Sequence, residues 1–141
     1  MEESVRETFS LSQKDLRQQP SLNLAYLGDA VHELIVRTVL LERSAGRVDQ
    51  LNKAALPYVS AVGQAKMTEA VLPLLGEEES AVYRRGRNAH TESKAKNASL
   101  QEYHKATGLE ALWGYLYLQG RSDRVLELMK AGMDYVDGNA H

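Results

Sequence analysis

The chain has 141 residues, a formal net charge of -2, and 26% charged against 43% apolar residues. That is enough chain and apolar surface for one domain with a real core, which excludes wholesale disorder and leaves little room for two domains. There is no cysteine, so a disulfide scaffold, a thiolate zinc site and a cysteine nucleophile are excluded.

The start, Met1-Glu2-Glu3-Ser4, is acidic where a secretory leader is basic. No run approaches the roughly 18 uninterrupted apolar residues of a membrane span, so no membrane partner is expected. These features fit a cytoplasmic protein. With a net charge of -2, any attraction to nucleic acid has to come from a local patch.

Residues 1–20 are polar and mixed in charge. They predict an arm, or a short helix over residues 12–17. From Ser21, a plausible cap, the positions Leu24, Leu27, Val31, Leu34 and Ile35 step by three and four. Val36, Val39, Leu40 and Leu41 extend the pattern to more than one face, which predicts a central helix ending near Gly46. Further helices are predicted over 48–55, stopped or kinked by Pro57, and over 60–72, closed by Pro73 and Gly76. Glu77, Glu78 and Glu79 suit a helix N-terminus, where acids meet the positive end of the dipole. That helix runs into Arg84-Arg85-Gly86-Arg87-Asn88, and residues 90–98 read as a polar loop. Residues 100–118 form the second strongly apolar helix, ended by Gly120. A last amphipathic helix over 123–135 places Val125, Leu128, Met129 and Met133 on one face. Residues 137–141 read as a disordered tail. No segment alternates as a strand does, so the fold class is all-α, with the domain proper over 21–136.

Two acids stand out. Asp29 is the first charge after Arg17 and lies inside the most apolar helix, with Glu33 one turn later. A carboxylate buried there is costly unless paired or bound to a metal. Gly28 in mid-helix costs about 1 kcal/mol relative to alanine, which asks for compensation such as close backbone approach. Glu110 is the only charge between Lys105 and Arg121, with Gly108 before it and Gly114 one turn after. If the two helices cross near Gly28 and Gly114, Asp29 and Glu110 come together. Oxygen ligands without thiols would suit Mg²⁺ or Mn²⁺. A lone helical acid is more often a cap, an arginine pair or a hydrogen bond to a tyrosine than a metal ligand.

Residues 84–96 carry Arg84, Arg85, Arg87, Lys94 and Lys96 against Glu92 alone, a net +4 inside an acidic chain. Such a patch fits phosphates: arginine forks onto their oxygens and Asn88 can donate to a phosphate or a 2′-hydroxyl. The patch lacks interleaved aromatic residues, which disfavours stacking on single strands and suits a duplex read through its backbone. A solvated basic loop is the other reading of the same residues.

The segment Leu24-Ala25-Tyr26-Leu27-Gly28-Asp29-Ala30-Val31 resembles the signature helix of ribonuclease III, and Leu109-Glu110-Ala111-Leu112-Trp113-Gly114 its second acidic helix. Val59-Ser60-Ala61 with Gln64-Ala65, Arg84-Arg85-Gly86-Arg87-Asn88-Ala89, and Lys96-Asn97 with Gln101 and Tyr103 are similar to mini-ribonuclease III. That group consists of the catalytic domain alone. The resemblance implies a symmetric homodimer that cuts double-stranded RNA with Mg²⁺, for which Mn²⁺ substitutes, leaving 5′-phosphate and 3′-hydroxyl ends. It also implies a place in maturation of large-subunit (23S) ribosomal RNA precursor in bacteria, or in a plastid.

Carried over, Asp29 and Glu110 are the metal ligands and catalytic acids. Glu33 is a candidate to hold a water of the cation. Arg84, Arg85, Arg87, Asn88, Lys94 and Lys96 are the RNA-binding set. Two further acids of the larger enzymes are replaced here by Ala25 and Thr107, and Ser99 stands where the mini group often has aspartate. Those departures leave a rival reading, a catalytically silent, ribosome-associated protein of the same fold that binds double-stranded RNA.

Overall fold

The computed structural model describes residues 1–43, 46–89 and 98–138, without the side chains of residues 98 and 99. Among the described residues every regular element is a helix. These are α1 (Glu2–Thr8), α2 (Ser21–Arg43), α3 (Val48–Val59), α4 (Ala61–Val71), α5 (Glu77–Arg87), α6 (Ala98–Leu118) and α7 (Ser122–Val136), with single 3₁₀ turns at Leu16–Gln18 and Leu72–Leu74. The all-α expectation holds. None of the helices is long and apolar enough to cross a membrane.

The centre of the bundle is α6, packed by α2, α5, α4 and α7. Its residues Leu109, Ala111, Leu112, Trp113 and Leu116 are fully enclosed. The sequence had marked α2 for this place because its apolar residues spread beyond one face. One of those faces, with Leu24, Val36 and Leu40, does enter the core, but Leu22, Leu34 and Leu41 lie at the surface.

Close approach of main chains fixes α6 against its neighbours. A Cβ added at Gly28 of α2 would sit 1.6 Å from the carbonyl oxygen of Glu110 and 2.8 Å from the nitrogen of Gly114. One added at Gly114 would meet the Leu24 carbonyl oxygen at 2.1 Å. The two helices therefore touch backbone to backbone, which compensates the propensity cost of a mid-helix glycine. The crossing expected at Gly28 and Gly114 is present.

A buried polar link joins three helices nearby. His32 of α2 is inaccessible to solvent. Its Nε2 lies 2.8 Å from the Tyr58 carbonyl of α3, and its Nδ1 accepts from Trp113 Nε1 of α6 at 3.0 Å. The proton therefore sits on Nε2 and the ring is neutral. At the far end of the bundle, Glu79 Oε1 accepts from the Gly76 amide at 3.0 Å, and both its oxygens take Arg124 at 2.9 Å. That link closes the start of α5, where acids were expected, and ties it to α7.

Several boundaries differ from expectation for local reasons. Pro57 lies inside α3, which runs only two residues beyond it, to Val59. The break comes at Ser60, whose Oγ accepts from the Gly63 amide at 3.0 Å and caps α4. Ser21 is the first helical residue of α2 rather than its cap, and the Pro20 carbonyl receives the first bonds. The amino-terminal helix spans Glu2–Thr8, not 12–17, where Asp15 instead caps a 3₁₀ turn through the Arg17 amide. Arg6 of α1 donates to the Leu118 carbonyl at 2.8 Å, placing the arm across the end of α6. In the expected tail, Asp137 is held by the Tyr58 hydroxyl and by Arg43 at 3.8 Å. Residues 139–141 and most of the expected loop over 90–98 lie outside the described residues, and Ala98 already belongs to α6.

Candidate active site and nucleic-acid interface

The α2–α6 crossing carries one acid from each helix. Asp29 follows Gly28, whose Cα faces the main chain of Glu110 itself. Asp29 is exposed and Glu110 is partly buried. The costly buried aspartate expected from the apolar sequence of α2 is therefore on the surface. The reason is its position on the helix: Leu22, Tyr26, Asp29 and Ala30 share the outward face, while Leu24, Ala25 and Gly28 share the inward one.

The two acids influence each other electrostatically. Burial, then the charge of Asp29, pushes the Glu110 carboxyl up to about 7, with a smaller push from Glu33. Asp29 also lies near enough to affect Glu110 by hydrogen bonding. The opposing influence is the side chain of Gln64 on α4, whose Nε2 donates to Glu110 Oε2 at 3.3 Å. Glu33 is half-buried and paired with Arg37 at 3.0 Å on its own helix.

Two carboxylates held together either share a proton or take up a cation. Among the described residues no group of three or more His, Cys, Asp or Glu side chains could hold a metal. Magnesium asks for less: it keeps several waters and is commonly held by one or two carboxylates together with substrate phosphates. Gln64 Oε1 is buried without a hydrogen-bond partner beside this pair, an acceptor that a hydrated cation would satisfy. The donor set fits a hard, hydrated divalent ion. Neither replaced position adds an acid: Ala25 is buried at the helix contact, and the Thr107 hydroxyl donates to the Tyr103 carbonyl at 3.0 Å.

The basic residues sit at the end of α5, where cations meet the negative end of the helix dipole. Arg84, Arg85 and Asn88 are exposed, and they line a shallow hollow of about 720 Å³ with Pro20, Ser21 and Leu22 at the start of α2. Arg87 is half-buried, its guanidinium 5.9 Å from the Tyr83 ring and its Nε donating to Asn88 Oδ1 at 3.3 Å. The structure thus brings Arg84, Arg85 and Asn88 to one surface and turns Arg87 toward its own helix. Lys94 and Lys96 lie outside the described residues.

Sequence reasoning assigned no role to Gln64. The available signal was a long polar side chain among the small residues Ala61, Gly63 and Ala65 in the first turn of a helix.

An all-helical domain with one acid on each of two glycine-crossed helices, beside an arginine-rich helix end, fits a helical nuclease domain. The description "Ribonuclease III domain" matches residues 22–121. The mini-ribonuclease 3 of Symbiobacterium thermophilum is 48% identical over 118 residues, 84% of this chain and 91% of that protein. That of Brevibacillus brevis is 41% identical over 134 residues, 92% of this chain and 100% of the relative. A crystal structure of a Fusobacterium nucleatum protein superposes with a TM-score of 0.73 at 30% identity, covering 83% of this chain and 93% of that one. The chain belongs to the ribonuclease III family of endoribonucleases, within its mini-ribonuclease 3 group.

Proposed function

We propose that this protein is a Mg²⁺-dependent endoribonuclease for double-stranded RNA, with Asp29 and Glu110 as its catalytic acids. The observation that carries the reading is the meeting of these two carboxylates across the Gly28–Gly114 contact, with Glu110 raised toward neutrality by burial and by Asp29. Asp29 and Glu110 would hold the ion, Mg²⁺ or Mn²⁺ in its place. A bound divalent cation supplies Lewis-acid polarisation of the phosphate and activation of water. No side-chain nucleophile is required. Water adds to phosphorus and the bond to the 3′ oxygen breaks, leaving a 3′-hydroxyl and a 5′-phosphate.

Arg84, Arg85 and Asn88 grip the duplex backbone, with Lys94 and Lys96 extending the same basic segment. Reading through phosphates and 2′-hydroxyls needs no base stacking and suits a duplex. Residues 21–136 form the catalytic domain, and residues 1–20 an arm. Two copies pair through the outer face of α2, where Leu22, Tyr26 (85% exposed) and Leu34 flank Asp29. A symmetric pair sets one site against each strand, and a solution mass of twice the 15.7 kDa chain checks it. The cellular substrate is large-subunit ribosomal RNA precursor, processed in the cytoplasm. Support for that role is the resemblance to mini-ribonuclease III, and precursor ends in a deletion strain test it.

The silent RNA-binding reading rests on the departures from the family's acids at Ala25, Thr107 and Ser99. Incubation with long double-stranded RNA, in Mg²⁺ or EDTA, alongside Asp29→Asn separates the two. Internal cuts that need Mg²⁺ and vanish in the variant establish the enzyme. Binding without cutting in either Mg²⁺ or Mn²⁺ establishes the silent protein.

A further inference from the structure

Gln64 is 3% exposed and lies in the first turn of α4. Its backbone amide bonds the Ser60 carbonyl at 2.8 Å, so its main chain is fixed by the α3–α4 corner. The corner is tight: a Cβ at Gly63 would lie 2.0 Å from the Pro57 carbonyl oxygen. The side-chain amide spends both hydrogens, on the Val59 carbonyl at 3.1 Å and on Glu110 Oε2 at 3.3 Å. Reversing the amide would face its oxygen toward two acceptors, so the orientation is set by its partners. That leaves Oε1 buried with no partner, a costly state for an acceptor in a folded protein.

We propose that Gln64 is the positioning residue of the acidic pair: its Nε2 holds the Glu110 carboxylate for a divalent cation, and its Oε1 is the acceptor reserved for that cation's hydration water. This inference rests on the metal reading above. A neutral side chain suits the position. A third carboxylate there would add repulsion to two neighbouring acids, whereas an amide orients Glu110 without adding charge. The anchor on Val59 makes the support rigid, because Nε2 cannot follow Glu110 away from Asp29 without losing a buried bond. Partners that orient a ligand in this way contribute strongly to metal affinity.

The test is Mn²⁺ binding by electron paramagnetic resonance on the RNA-free protein, comparing wild type, Asp29→Asn and Gln64→Met. Methionine keeps the length and packing of glutamine and removes both polar atoms. Gln64→Met should weaken Mn²⁺ binding by about tenfold. Its cleavage should fall in kcat at saturating RNA while KM for duplex RNA stays unchanged. Mn²⁺ affinity within about twofold of wild type overturns the inference. If wild type binds no Mn²⁺, or Asp29→Asn binds it as wild type does, the metal reading falls and this inference with it. A wild-type measurement guards against a variant that does not fold. The side-chain amide signals of Gln64 should shift as Mg²⁺ saturates the protein, and signals that stay in place while the Asp29 backbone amide moves overturn the proposal.

Discussion

Trp113 donates its indole hydrogen to the Nδ1 of His32 at 3.0 Å, in a part of the core that water does not reach. Burial holds the His32 imidazole below the ordinary histidine pKa, opposed by its bond to Tyr58 and the charges of Glu33 and Asp29. Protonating Nδ1 would remove the acceptor that Trp113 needs. The unfolded chain therefore takes up this proton before the folded one does. The contribution to stability is full above the unfolded pKa and is lost as pH falls from there toward the depressed folded value. Denaturant melts should show at most about 2 kcal/mol lost between pH 7 and pH 5 from this group. His32→Gln, which keeps a donor and an acceptor without titrating, should flatten the slope. An unaltered slope would assign the acid sensitivity to other groups.

Glu110 acts in the opposite direction. Its carboxyl is raised from 4.5 to about 7, chiefly by burial and the Asp29 charge. An acid with a raised folded pKa contributes fully below its unfolded value, and that contribution is lost as pH rises through about 7. Glu110→Gln should therefore stabilise the metal-free protein at pH 8, by about 1–3 kcal/mol once partial solvation is discounted, and by little at pH 5. Mg²⁺ should then raise the melting temperature of wild type but not of the variant. Equal melting of the two metal-free proteins at pH 8 would refute the charge conflict.

Gly28→Ala sets two effects of different size against each other. Helix propensity favours alanine by about 1 kcal/mol. The new Cβ would meet the Glu110 carbonyl oxygen at 1.6 Å, and both partners are main chain that cannot turn aside. We expect a loss of at least about 3 kcal/mol, or failure to fold, measured by urea melts or soluble yield. A neutral or stabilised variant would contradict the crossing.

Arg84 and Arg85 are exposed, so replacing both with alanine should leave the melting temperature unchanged. Duplex RNA binding, measured in Ca²⁺ to prevent cutting, should weaken for all sequences alike. The slope of log K against log salt should flatten by about 4 for the paired protein, two arginines being lost from each copy, if each neutralises one phosphate. An unchanged slope would leave the arginines as solvated surface.

Much of this site was legible because it breaks local rules. Gly28 in mid-helix and lone acids in apolar stretches are conflicts that only tertiary structure resolves, and they pointed to the crossing. The side of α2 that Asp29 faces was not legible, because α2 is apolar on two faces and periodicity alone did not say which enters the core. Leu34 and Leu41 thus looked internal and are not. The helix at Glu2–Thr8 was missed because its carboxy-terminal end is secured from a distance, by Arg6 on the Leu118 carbonyl. Gln64 was missed for a similar reason: its partners Val59 and Glu110 are 5 and 46 residues away, and the longer contact has no local pattern.

At Gly28 and Gly114, where α2 and α6 cross, no side chain lies between the two main chains. The gap between Asp29 and Glu110 is consequently gauged by two strips of main chain. Substitutions elsewhere in the core can swell, shrink or soften the bundle and change the temperature at which it melts. They have little purchase on this spacing, since nothing compressible separates the strips. Sequences that retain the two glycines can drift widely around them and still hand their descendants the same interval between carboxylates.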